Sequence, residues 1–142
     1  MSSVPASRRH QQTRHPMPLA RISLRQGSSA AHRQAIADGV HRALTETFNV
    51  PADDRFQIID EYPADRLVFD QGYLGIHRSD AFVAIELTVS NTRTLAQKQA
   101  LYRRIVELLA DHPGLDPQDV FINLVEVVKE NWSFGNGVAQ YA

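Results

Sequence analysis

Apolar residues along this chain fall into short alternating runs and longer runs at helical spacing, and the pair of patterns occurs twice. Leu19, Ile22 and Leu24 mark a short strand with imperfect alternation. Gln26-Gly-Ser-Ser29 is turn chemistry, and Ser28 or Ser29 is suited to cap a helix. Ile36, Val40, Ala43, Leu44 and Thr47–Phe48 recur on one helical face, and the helix is predicted to stop before Pro51. Pro51-Ala-Asp-Asp54 reads as a turn and Phe56-Gln-Ile-Ile59 as a second strand. The order then repeats. Phe82–Val89 is β-branched and apolar, so a strand. Thr94-Leu-Ala-Gln97 is a capping box, and Leu101, Ile105, Leu108 and Leu109 form the next helical stripe. Pro113-Gly114 stops it. Pro117-Gln-Asp119 is a second acidic proline turn, and Val120–Val127 is a strand.

The segments after the two helices, from Pro51 to Glu61 and from Pro117 to Glu126, match in their phenylalanines and terminal glutamates at a period of roughly 65 residues. The pattern predicts an α/β (α+β) domain of two tandem β-α-β units. Each unit pairs parallel strands through a right-handed crossover, giving a four-stranded sheet with two helices on one face. The other face has no helix left to cover it, so self-association is expected. Residues 62–81 form a long connection, and connections of that length are more often functional than idle.

Composition narrows the class without naming a function. The chain has 142 residues, 15 Lys+Arg against 16 Asp+Glu, and no Cys. That balance gives no basic excess for nucleic acid, and the lack of Cys excludes disulfides, thiol catalysis and thiolate zinc sites. No apolar run reaches the ~20 residues of a membrane helix. The six histidines show no metal-ligand spacing. Charge is uneven: residues 1–16 carry Arg8, Arg9 and Arg14 and no acid, which leaves the remainder acidic. That segment is too poor in large apolar residues to offset its ordering entropy, so residues 1–17 read as a disordered extension or as an over-called start upstream of Met17. They lack the apolar stretch of a secretory signal and the amphipathic face of a transit peptide, so the location read is cytoplasmic. The folding domain is expected over 18–142.

MPLARI from Met17, VPADDRFQ from Val50, NTRTLAQKQ from Asn91 and NWSFGNG from Asn131 resemble the tautomerase superfamily, and within it the malonate semialdehyde decarboxylase group. The resemblance covers essentially all of 18–142. It implies a homotrimer, no metal, no organic cofactor, and catalysis by an amino-terminal proline. Pro18 is that proline once Met17 is removed. A free proline is a rigid secondary amine with a reference pKa near 8. Neighbouring cations or burial make it a neutral base, and a neighbouring carboxylate makes it a cationic acid. While residues 1–17 are attached, its nitrogen is a tertiary amide and can do neither.

The resemblance places the group's catalytic aspartate at Asp54, whereas Asp53 and Asp119 fit ordinary turn roles. Arg93, one residue before the Thr94 cap, is suited to bind a carboxylate together with free helix N–H groups. The group has two arginines one residue apart here. This chain has Asn91 and Arg93, which weakens the case for decarboxylation. Trp132 and Phe134 match an apolar wall over the proline. Gly135-Asn-Gly137 is a turn, Gly72 and Gly75 belong to no phosphate loop, and Tyr73 and Arg78 are candidates for the pocket border. The leading functional reading is keto-enol tautomerisation of a small 2-oxo or 3-oxo acid. The alternatives are decarboxylation of malonate semialdehyde, a non-catalytic oligomeric binding module with Pro18 blocked, and, less favoured, hydrolytic dehalogenation of a haloacrylate.

Overall fold

A computed structural model of the protein describes residues 18–142; the expectations for residues 1–17 lie outside the described residues. The chain runs β1 (Leu19–Arg25), α1 (Ala30–Phe48), β2 (Phe56–Tyr62), β3 (Val83–Ser90), α2 (Leu95–Asp111) and β4 (Val120–Val127), with single-turn helices at Tyr73–Gly75, Pro117–Asp119 and Lys129–Asn131. The sheet order is β2-β1-β3-β4. β1 pairs parallel with β2 and β3 parallel with β4, while β1 and β3 run antiparallel in the middle. These are the two β-α-β units expected from the repeat.

Local signals set the helix ends. Ser29 caps α1 by accepting from the His32 N–H at 3.0 Å. Asn49, in the left-handed region at φ 56°, closes it by donating its N–H to Leu44 O. Thr94 and Gln97 form the capping box of α2, with Gln97 N–H to Thr94 Oγ1 at 3.2 Å and Thr94 N–H to Gln97 Oε1 at 2.9 Å. Gly114, at φ 98°, turns the chain away and donates to Leu109 O.

The repeat holds residue by residue at a spacing of sixty-five positions. Ala20, Ile22 and Leu24 face the helices as Ile85, Leu87 and Val89 do. Ile36, Val40 and Leu44 occupy the places of Leu101, Ile105 and Leu109. The caps Ser29 and Thr94 correspond, and so do the ion pairs Arg33–Glu61 and Lys98–Glu126, each tying a helix's first turns to its outer strand. The helices approach closely at Gly39, where a Cβ would lie 2.7 Å from Leu109 Cδ2. In β1 the residue facing the core is Ala20 rather than Leu19, because strict alternation from Ile22 puts Leu19 on the other face. β2 continues to Tyr62, and β3 starts one residue later than predicted.

The face away from the helices is open. Phe56 and Phe121 are 48% and 50% exposed on it, accompanied by Ile58 and Val125. The charged residues Arg21 and Asp60 pair across β1 and β2 on this face at 3.1 Å.

Candidate active site

The site candidates collect at one end of the sheet. Leu19 lies opposite Phe56 on β2 and Thr88 on β3, so Pro18, which is buried, sits between the start of β2 and the end of β3. Asp54 is two residues upstream of Phe56, in the turn closed by its N–H to Pro51 O at 3.0 Å, and is 9% exposed. On the other side of Pro18, β3 ends at the buried Ser90, and the chain passes through Asn91, Thr92 and Arg93 into α2. Asn91 donates its N–H to Val127 O at 3.1 Å, and its side chain is exposed.

Arg93 is anchored rather than solvated. Nη2 donates to Phe48 O, the last carbonyl of α1, at 2.8 Å, and Nη1 donates to Thr92 Oγ1 at 3.2 Å. Its guanidinium lies 4.7 Å from the centroid of the Phe48 ring. Burial holds its pKa below the ordinary arginine value. Among the described residues no carboxylate forms an ion pair with it, so a five-donor guanidinium retains capacity for an incoming anion.

The aromatic residues arrive from the far edge. After β4 the chain turns at Lys129–Asn131, and Trp132 and Phe134 stack with centroids 5.4 Å apart. Phe134 then meets Phe56 of β2 at 6.1 Å. β4 and β2 are the two edges of the sheet, so this tail spans β3 and β1 and passes over the end that holds Pro18. The turn at Gly135-Asn-Gly137 brings Tyr141 edge-on to Phe134 at 5.6 Å. Gln140 fixes the loop, accepting from the Phe134 N–H at 3.0 Å and donating to Gly135 O at 2.9 Å.

Tyr141 is the residue that pattern reading missed. Burial first, and the negative charge of Asp54 second, push its phenol above the ordinary tyrosine value, so Tyr141 shares the surroundings of Asp54. An aromatic residue in a short tail with no periodicity was the sole signal in the sequence. Asp119 behaves as the turn residue it was read to be, accepting from the Ser79 N–H at 2.6 Å and Ser79 Oγ at 2.7 Å. Tyr73 and Arg78 belong to the opposite end of the sheet. Arg78 Nη1 donates to Asp70 O and Tyr73 O, which staples the long connection. With Phe69, Phe82 and Phe121 the two residues border a separate, mostly apolar cavity of about 320 Å³. Among the described residues no helix is long and apolar enough to cross a membrane, and no group of acidic or histidine side chains is placed to hold a metal ion.

Two antiparallel-related β-α-β units, a proline opening a central strand and an aromatic tail laid over it define a tautomerase-type protein. The comparisons agree: residues 54–135 match one tautomerase enzyme family and residues 18–75 a second, so the chain belongs to the tautomerase superfamily. It is 40% identical over 124 residues to the probable tautomerase YusQ of Bacillus subtilis (strain 168), covering 87% of this chain and 98% of that one. Among solved structures it is similar to the FG41 malonate semialdehyde decarboxylase inhibited by 3-bromopropiolate, at 41% identity and TM-score 0.82, covering 87% of this chain and 93% of that one. A malonate semialdehyde decarboxylase studied for its decarboxylase and hydratase activities matches at 32% identity and TM-score 0.82, over 87% and 95% of the two chains. The chain is thus a member of an enzyme superfamily acting on small oxo acids, with malonate semialdehyde decarboxylase-like proteins among its similar structures.

Proposed function

We propose that the protein, once its chain begins at Pro18, decarboxylates a small 3-oxo acid of the malonate semialdehyde type. The observation that carries this reading is Asp54, a buried acid at the same sheet end as Pro18. A carboxylate beside a secondary amine favours the protonated amine. Cationic Pro18 would donate a hydrogen bond to the aldehyde oxygen, and Arg93 would hold the carboxylate. The electron pair of the breaking C–C bond then flows toward the carbonyl, whose oxygen takes the Pro18 proton, giving an enol, neutral Pro18 and CO₂. A proton returned to the α-carbon completes the aldehyde. The aromatic tail would exclude water and disfavour charge on the departing carboxylate. The similarity to two malonate semialdehyde decarboxylases supports this reading over keto-enol tautomerisation.

One observation favours tautomerisation as a second reading. Arg93 is a single cation, and the neighbouring Asn91 is neutral and exposed. In that mode neutral Pro18 would take a proton α to the carbonyl and return it to the other end of the enol. Titration of the Pro18 nitrogen by NMR separates the two modes. A value above the ordinary α-amine supports the acid, and one well below 7 overturns it. Assays of the Pro18-start protein on malonate semialdehyde and on phenylpyruvate enol test the outcome directly. Mass spectrometry of the natural protein tests the premise, because a mature amino terminus upstream of Pro18 leaves only a binding module. The open apolar face supports a homotrimer as the working form, which sedimentation would check.

A further inference from the structure

We infer that the indole N–H of Trp132 donates a hydrogen bond to an oxygen of the substrate, so that the aromatic wall is polar at one point. The inference rests on the oxo-acid reading above.

Trp132 Nε1 is buried, and no acceptor among the described residues reaches it. Its neighbours in the tail are satisfied. The Asn131 N–H donates to Val128 O, the Phe134 N–H to Gln140, and the Gln140 amide to Gly135 O. Leaving a buried donor unpaired is costly, and native structures do so rarely. A phenylalanine would supply the same ring stacking against Phe134 without that cost. A donor kept in this state fits an acceptor that comes and goes. The N–H is sealed from solvent within a tail that passes over the sheet end holding Pro18, where an oxygen of a bound substrate would supply the acceptor it lacks.

The chemistry of an oxo acid fits this donor. Such a substrate brings a carbonyl oxygen and a carboxylate, and Arg93 is the single guanidinium in the segment leading from β3 into α2. An indole N–H is a donor only and carries no charge. It recognises an oxygen lone pair inside an apolar wall without neutralising the carboxylate, whose charge must pass to the carbonyl oxygen as neutral CO₂ departs.

The chain has one tryptophan, so a ¹⁵N-labelled Pro18-start protein gives one indole N–H resonance. Adding pyruvate or malonate should move that proton downfield together with the Pro18 nitrogen signal. If the Pro18 signal moves and the indole stays, the inference is overturned and the oxo-acid reading stands. If neither moves, the oxo-acid reading falls and the inference with it. Trp132→Phe, which keeps the ring and removes the donor, should lower kcat/KM on malonate semialdehyde by about ten- to a hundredfold without lowering Tm. An unchanged kcat/KM in a folded Trp132→Phe protein shows that Trp132 is wall alone. The labelled wild-type protein decides the matter if that variant does not fold.

Discussion

The two β-α-β units share caps, core positions and ion pairs, yet they differ at the three places where chemistry is proposed. Pro18 opens β1, whereas its counterpart Val83 opens β3 as an ordinary buried residue. Arg93 stands before the second helix, whereas Ser28 stands before the first and donates to Glu61 Oε2 at 2.9 Å. Both units bury an aspartate two residues before a phenylalanine. Asp119 is committed to Ser79, and Asp54 lies within reach of Tyr141's charge environment. The core is duplicated and the site is not. One end of the sheet joins the proline and aspartate of the first unit to the arginine of the second, and the aromatic tail has no counterpart in the repeat. The other end has a latch to the long connection instead.

Substitution in matched pairs tests this contrast. The largest effect is expected from Pro18→Ala in the processed protein, which should lower activity by about two to four orders of magnitude with Tm unchanged, read by kcat and calorimetry. Next, the two aspartates should separate function from stability. Asp54→Asn should lower kcat at least about tenfold. Asp119→Asn should leave kcat intact and lose ~1–3 kcal/mol of stability, because it replaces an acceptor that serves two donors. Equal behaviour of the two would break the comparison. Ile36→Ala and Leu101→Ala, at matched positions with 0% exposure, should each cost ~2–5 kcal/mol by denaturant unfolding. A large inequality between them would show that one unit carries the fold. The smallest effect concerns Tyr141. Ultraviolet titration of the four tyrosines should show one ionising above the ordinary range, absent in Tyr141→Phe and shifted down in Asp54→Asn. Since the fold favours the neutral phenol, this contribution to stability is present below the ordinary tyrosine pKa and is lost as pH rises through the raised value.

Much of the fold was legible because its signals are local. The Thr94–Gln97 capping box, the Pro51 and Pro113 stops and the stripe from Leu101 to Leu109 each lie within a few turns of chain. What stayed hidden depends on distant partners. The Arg93 guanidinium meets the carbonyl of Phe48, forty-five residues away, and no spacing rule encodes that contact. Tyr141 reaches the surroundings of Asp54 through a tail whose path is set by ring packing rather than by periodicity. Tyr73 and Arg78 were misplaced because a long connection tells nothing about which end of the sheet it covers. The candidate site residues rest on segment resemblance, and geometry adds the neighbours that resemblance could not supply.

β1 is an interior strand, flanked on both sides, and its first residue lies at the candidate site. An acyl group on the Pro18 nitrogen makes it a tertiary amide and removes the ionisable amine that either proposed mode requires. Trimming at this one bond would act as a zymogen cleavage does: a single hydrolysis would create the amine.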